Sequence, residues 1–372
     1  FVASPREQYT YPLVLLRCED CGLAQLSVVV DPKVMFTNYL YASSASAPLV
    51  KHFEEYAEEV ASRFAPPGST VIEIGSNDGV LLAPLQARGI EVLGVEPAKN
   101  LAVAANARYL KTLPVFFSGP VVQQQDMVGR ANVVIANNVM AHVDDLHDFM
   151  RGVVAALRPD GVFIAEFPYL GDLLAQVEYD TIYHEHLSYF SLAPLERLFF
   201  KYGMRVFDIK HLPQQGGSIR VYVCRKGTRP GTVPLQDFRI EEMMTSKLDD
   251  PKTYWTFGLR VNDSRTALRD MLRWKVGGRP VAAFGASAKG NTLLNYCEIG
   301  PELVQLIYDD APLKQGLYTP GTHIPVMSPS ILDRAKPEYI VLLAWNYADA
   351  IAKRYPEYIG RFIHPIPLAR LV

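Results

Sequence analysis

Cysteine is scarce in this chain: four occur in 372 residues, too few for the disulfide framework that staples small secreted domains. The reducing cytoplasm is the expected compartment, and no signal-peptide pattern follows Phe1. Excess charge is also missing. A net charge of −2 gives no global field to draw the protein to nucleic acid or an anionic membrane. No apolar run approaches the roughly 20 residues that span a bilayer. A G-x-G-x-x-G dinucleotide fingerprint is absent as well, which weakens any reading as an NAD enzyme.

What is there suits a soluble globular chain, 49% hydrophobic and 20% charged, and long enough for two or three domains. "PLVKHFEEYAEEVASRFA" puts Leu49, Phe53, Tyr56, Ala57, Val60 and Phe64 on one face of a helix. "TVIEIGSNDGVLLAPLQARGIEVLGVEPAKN" reads as buried strand, Gly-containing turn, helix and second strand. "ANVVIANNVMAHV" and "GVFIAEFPYL" add two apolar strands around a helix at about 145–157, a rhythm that predicts a doubly wound parallel sheet. "MRVFDIKHL" and "GGSIRVYVCRK" predict an antiparallel end to it, "GTRPGTVP" a linker, and residues 235–274 one long helix. From "PVAAFGASAKGNTLLNYC" onward the strand–helix alternation predicts a second, smaller α/β domain.

The first Gly-containing turn is the candidate cofactor site. Glu73 ends its strand, Gly75 and Gly79 lie in the turn, and Glu96 ends the next strand at the distance where an acid reads ribose hydroxyls. Asn77 and Asp78 crowd the place where pyrophosphate would lie, and Asp78 adds like charge. That disfavours NAD and suits a phosphate-free cofactor with a cationic centre, such as S-adenosylmethionine; a purely structural tight turn is the competing reading. In "FGASAKG", Ser287 and Lys289 near a helix start suit a phosphate. The rival there is a separate NAD site, with Asp309 or Asp310 as its weak ribose acid.

The chemistry-bearing stretch is "YDTIYHEHLSYFS", which gathers Tyr183, His184, Glu185 and His186. Its H-E-H spacing differs from the helical H-E-x-x-H that sets two imidazoles on one face toward zinc. An imidazole, a carboxylate and a phenol are the parts needed to remove a proton from carbon and stabilise the resulting enolate. In a fully extended strand Glu185 and His186 would point apart, so the segment is expected to turn. His142 follows a strand end, where open α/β sheets bind ligands, but such a histidine also serves in capping or packing. Tyr39, Tyr41 and Ser43 in "NYLYASSAS" could close over cofactor or sugar, with aromatic packing as the plain alternative. Cys18 and Cys21 form one Cys-x-x-Cys, half of a tetrahedral zinc site or else two reduced thiols.

Taken in order, "LRCEDCGLAQL", "NYLYASSAS", "VIEIGSNDG", "GVEPAKN", "IANNVMAHVDDL", "EFPYL", "YDTIYHEHLSYFS", "QQGGSIRVYV" and "GASAKGNTLLNY" resemble the nucleotide-sugar C-methyltransferases of antibiotic deoxysugar biosynthesis. The resemblance spans nearly the whole chain. It implies a class I methyltransferase α/β sheet at 46–226, an incomplete zinc-knuckle-like region at 1–45, a linker and helix at 227–277, and an α/β domain at 278–372. It also implies methyl transfer from S-adenosylmethionine to a carbon beside the keto group of a dTDP-linked sugar, with that nucleotide-sugar between the domains and its diphosphate near Ser287 and Lys289. On the family pattern Tyr183, Glu185 and His186 are catalytic, His142 supports them, and Pro97, Asn137 and Asn138 join Glu73, Gly75, Asn77, Asp78 and Glu96 around the cofactor. The family carries an earlier Cys-x-x-Cys that this sequence does not contain, so its structural zinc is left with half a ligand set.

The expected protein is a cytoplasmic enzyme, a monomer or weak homo-oligomer, with no nucleic-acid or membrane partner. Two other functions fit the same residues: an epimerase or other rearrangement enzyme using the base without methyl transfer, and a non-catalytic ligand-binding relative.

Overall fold

The runs "TVIEI" and "ANVVIAN" become neighbouring parallel strands at the centre of the larger sheet. In a computed structural model residues 1–36, 42–45 and 47–372 are described. Tyr39 and Tyr41 lie outside the described residues. The chain divides into two compact units, one made of Leu15–Leu170 and His184–Thr245, the other of Phe1–Val14, Gly171–Tyr183 and Ser246–Val372. The segment Gly171–Tyr183 thus groups with the C-terminal third rather than with its sequence neighbours.

In the larger unit the strands are β1 (Leu15–Arg17), β2 (Ala24–Leu26), β3 (Thr70–Ile74), β4 (Glu91–Val95), β5 (Thr112–Leu113), β6 (Ala131–Asn137), β7 (Leu157–Pro168), β8 (Ser188–Tyr189), β9 (Met204–Leu212) and β10 (Ser218–Arg225). Seven of them form one sheet in the order β5-β4-β3-β6-β7-β10-β9. The first five are parallel and β10 returns antiparallel to both β7 and β9, as the alternating patterns of the last two strands predict. β3 lies between β4 and β6, so the chain's direction of travel across the sheet reverses there, and the crevice beyond these strand ends is where such folds bind ligands.

The helix Ala47–Arg63 covers this sheet with Phe53, Tyr56, Ala57 and Val60, all buried, and with half-buried Leu49; Phe64, just past its end, packs against the same core. Its polar face is not idle. Glu59 accepts from Tyr222 (2.6 Å) and Arg220 (2.9 Å) and pairs with Lys210 (2.7 Å), while His52 Nε2 lies 2.7 Å from Glu166 Oε1. Arg220, on the central stretch of β10, also donates from Nε to Glu166 (2.8 Å), and its guanidinium lies 3.3 Å from the centre of the Tyr56 ring. Buried charges persist only when paired and hydrogen-bonded, and this network meets that condition.

The smaller unit holds β11 (Val281–Phe284), β12 (Leu306–Tyr308), β13 (Val326–Met327), β14 (Tyr339–Leu342), β15 (Phe362–His364) and β16 (Arg370–Leu371), in the order β13-β12-β11-β14-β15-β16. The N-terminal residues join it through reciprocal backbone bonds between Val2 and Tyr318, and Gln8 accepts from Gly321 N (2.7 Å).

The single long helix expected over 235–274 is a set of shorter ones. Val233–Glu241 passes into a π-helical turn at Glu242–Ser246, and a new helix runs from Pro251 to Asp270 before a second π turn. The break has a local cause. Asp250 caps the Lys252 N–H, and Pro251 takes the first helical position, where its missing N–H costs nothing. Among the described residues no helix is long and apolar enough to cross a membrane.

Candidate active site

The turn after β3 is built for close approach. Gly75 has φ +65°, and a Cβ there would stand 2.4 Å from Val139 Cγ2; at Gly79, with φ +82°, it would stand 2.5 Å from Leu110 Cδ1. Asn77 and Asn138 also adopt left-handed backbone, φ 51° and 54°, which asparagine tolerates better than most residues. Ser43 N–H donates to Asn77 Oδ1 (2.8 Å), so this expected substrate contact lies against the cofactor turn.

Five buried side-chain atoms around the ends of β3 and β6 have no hydrogen-bond partner: Glu73 Oε2, Ser76 Oγ, Asp78 Oδ1, Asn137 Oδ1 and Asn138 Oδ1. Native proteins leave few such groups unsatisfied, and their concentration at one strand-end crevice marks a place for a ligand rich in donors. Glu73 receives a long bond from Asn137 Nδ2 (3.4 Å), and burial, with Glu96 and Asp78 adding to it, holds its carboxyl well above the usual range. Glu96 accepts from Asn77 N and Ala98 N, each at 2.8 Å, so its carboxylate braces the turn from the next strand end; burial raises its pKa too. Pro97 follows it, leading into the helix Lys99–Ala107. These unfilled acceptors offer a phosphate no donors. They fit the α-ammonium, ribose hydroxyls and sulfonium charge of S-adenosylmethionine, which Glu73, Ser76, Asp78, Asn137 and Asn138 would hold.

Replacing Gly75 by alanine is expected to weaken the binding of S-adenosylhomocysteine at least tenfold, because the new methyl meets Val139 and the left-handed backbone costs about 1–2 kcal/mol in a residue with a Cβ. Isothermal titration reads it, and an unchanged affinity would remove this turn from the cofactor site.

Beyond β6 the chain makes a short 3₁₀ turn, Met140–His142. Leu187 N donates to Ala141 O (2.6 Å) and Leu26 N to Leu187 O (2.9 Å), which ties the segment before β8 to this turn. The ring centres of His142 and His186 consequently lie 5.0 Å apart, edge to face. Burial depresses the His142 pKa well below 6.5, and the charge of His186 adds to that, so His142 is neutral at neutral pH. The expected turn is present: His184 and Glu185 form it, half-buried, with Tyr183 just before and His186 just after. The division between the two compact units falls between Tyr183 and His184.

In the smaller unit Ser287 caps the helix Ala288–Tyr296, accepting from Gly290 N (3.0 Å). Lys289, expected to meet a phosphate, instead has its ammonium 4.1 Å from the centre of the Trp345 ring and close enough to Asp180 and Glu178 to feel both charges.

The zinc expectation is not supported. Among the described residues no group of three or more His, Cys, Asp or Glu side chains could hold a metal ion. Cys18 and Cys21 form a knuckle, with Gly22 N donating to Cys18 O (3.0 Å) and Cys18 N to Leu23 O (2.9 Å), and both thiols are free. Backbone N–H donation from Cys21 lowers the Cys18 pKa. Two donors do not make the four-ligand site that structural zinc requires.

Sequence reasoning missed His52, Glu166 and Arg220. Asn137 and Glu166 are register partners, and Asn138 N donates to Glu166 O (2.7 Å), so the buried network holds the strand end that carries the two candidate asparagines. The available signal was Arg220 itself, one cation inside the apolar run "SIRVYVC".

The sheet order and this acidic crevice without a phosphate cradle define an S-adenosylmethionine-dependent methyltransferase. A methyltransferase-domain family model matches residues 50–209, and a model described as the C-methyltransferase C-terminal domain matches 213–367. The chain is 36% identical to the C-methyltransferase NovU of Streptomyces niveus over 97% of its own length and 88% of that protein's. It belongs to the C-methyltransferase family. A ubiquinone biosynthesis O-methyltransferase of Methylobacterium sp. (strain 4-46) matches more narrowly, 36% identical over 26% of this chain and 40% of that one. Among solved structures, the magnesium protoporphyrin IX methyltransferase of Synechocystis PCC 6803 with bound SAM aligns over 48% of this chain and 79% of its own, at 14% identity and a TM-score of 0.37.

Proposed function

We propose that the protein methylates the carbon beside the keto group of a nucleotide-linked sugar through an enolate, with His186 as the base. The observation that carries this reading is the imidazole pair His142–His186, 5.0 Å apart beyond the end of β6. A carbon acid needs a base and, unlike an oxygen or nitrogen nucleophile, also a donor for the enolate oxygen. His186 takes the α-proton, and the electron pair moves toward the carbonyl oxygen. The Tyr183 phenol donates a hydrogen bond to that oxygen, and Glu185 orients its neighbours in the turn. Neutral His142 stands beside His186 without adding charge against the imidazolium that forms. When bound, S-adenosylmethionine supplies an electrophilic methyl group and leaves as a neutral thioether.

The test is incubation with S-adenosylmethionine and a dTDP-4-keto-deoxysugar, followed by mass spectrometry of the sugar. A gain of one CH2 on carbon supports the reading. Exchange of the α-proton without that gain would make the protein an epimerase, and cofactor binding with neither exchange nor gain across a panel of ketosugars would leave it a binding protein.

A further inference from the structure

The smaller unit carries a buried charged cluster that this chemistry does not use. In its sheet β11 lies between β12 and β14, so the chain reverses its direction of travel there, and open α/β sheets bind ligands beyond such strand ends. Lys289 follows β11 and Trp345 follows β14. What stands against them is the protein's own chain, the 3₁₀ turn Tyr179–Thr181. Trp345 Nε1 donates to Asp180 Oδ2 at 2.7 Å, and Asp180 is completely buried. Tyr179 OH lies 3.3 Å from Cys297 Sγ, and its ring centre is 5.3 Å from that of Tyr296 at the far end of the same helix. The strand-end acid Asp309 is similarly engaged with its own loops, accepting from Ala286 N (2.7 Å) and Ala311 N (2.8 Å).

We propose that this strand-end crevice holds protein in place of a ligand, and that Asp180 is a positioning residue for Tyr183, three residues further along the chain. The proposal rests on the reading of Tyr183 as the donor to the enolate. Apolar packing alone would bury the turn, but it fixes orientation loosely, whereas an indole N–H bonded to a carboxylate sets direction as well as distance. Burial raises the Asp180 pKa, and the Lys289 ammonium and the Trp345 indole N–H both oppose that rise. Neighbouring Glu178, pushed up to about 8 by burial and by Asp180, is protonated at neutral pH and adds no second anion. The turn is thereby held at both ends, by Cys297 and Tyr296 on one side and by Trp345 on the other, just before the chain reaches Tyr183.

A double-mutant cycle in the full chain tests it. Trp345→Phe keeps an aromatic ring and removes the donor; it is expected to lower kcat about tenfold, with KM for the ketosugar and the dissociation constant for S-adenosylhomocysteine within about twofold of the parent. Tyr183→Phe is expected to lower kcat at least as much, and the double variant to be no slower than Tyr183→Phe alone, since the indole acts through the phenol. Asp180→Ala should match Trp345→Phe, and Asp180→Asn, which keeps an oxygen for the indole, should recover most of the rate. Additive losses in the cycle, or no recovery in Asp180→Asn, would reduce the cluster to a packing contact and overturn the proposal. Full activity of Tyr183→Phe is a different failure: it would remove the phenol from the mechanism, and this role of Asp180 with it.

Discussion

Asparagine at position 186 is expected to slow methyl transfer by about 10²- to 10⁴-fold, the range that a positioned general base contributes. The same change should slow washout of the substrate's α-proton in deuterated water, measured without cofactor, while leaving S-adenosylhomocysteine affinity unchanged. Washout is the sharper observable, because it reports proton removal separately from the later bond to the methyl carbon. His186→Asn that exchanges the α-proton at the parent rate would show that another group is the base. His142 lies 5.0 Å from His186 between ring centres, and its depressed pKa keeps it unprotonated. His142→Asn is therefore the paired control: a smaller loss there than in His186→Asn fits a supporting role.

Removal of the Arg220 guanidinium is expected to have the largest effect on stability. Arg220→Leu leaves Glu166 and Glu59 without their shared cation in a buried setting, and breaking such a pair by deleting one partner costs about 3–5 kcal/mol. A shifted urea midpoint for the transition that exposes Tyr56 and Tyr222 would measure it, and a loss below about 1 kcal/mol would place the network among ordinary surface pairs. The pH dependence has a definite sign. The hydrogen bond to His52, with Arg220 beside it, holds the Glu166 carboxyl below its ordinary value against the opposing pull of burial, and bonds from Lys210, Tyr222 and Arg63 hold Glu59 at about 2 against the same pull. A carboxylate whose pKa is depressed on folding stabilises the native state above its unfolded pKa and loses that contribution as pH falls through the folded one. The parent should therefore weaken in acid, toward pH 2 for the Glu59 share. Arg220→Leu should show somewhat less of that acid-sensitive slope, because it removes the arginine's share of both shifts while the bonds from His52, Lys210, Tyr222 and Arg63 remain.

Much of the larger unit was legible from residue pattern. "TVIEI", "ANVVIAN" and "GVFIAEF" are continuous apolar runs, as strands covered on both faces must be, and they are β3, β6 and most of β7. The alternation in "MRVFDIKHL" and "SIRVYVC" likewise announced β9 and β10. Where reading failed, the cause was non-local. Hydrophobic periodicity ran across Lys247–Asp250, and the Asp250–Pro251 start signal inside it decided the helix break. The candidate cofactor residues fell at strand ends because the fold puts ligands there. No spacing rule joins His52 to Glu166, or Asp180 to Trp345, since these pairs are made by tertiary packing across more than a hundred residues of chain. Lys289 shows the same limit: a lysine beside a helix start suits phosphate in sequence, and two buried carboxylates from a distant segment claim it in the fold.

Neither compact unit is a continuous length of chain. The smaller one takes Phe1–Val14, Gly171–Tyr183 and everything from Ser246 onward. During synthesis on the ribosome the first two pieces emerge long before the sheet they join, because domains complete only when their last strands are made. Asp180 has no indole to bond until Trp345 has left the exit tunnel. A nascent chain stopped after β10 would hold the acidic cofactor crevice and His186, yet lack the support for the turn that leads to Tyr183. On the proposed role of Asp180, the support for the active segment is among the last contacts that each molecule gains.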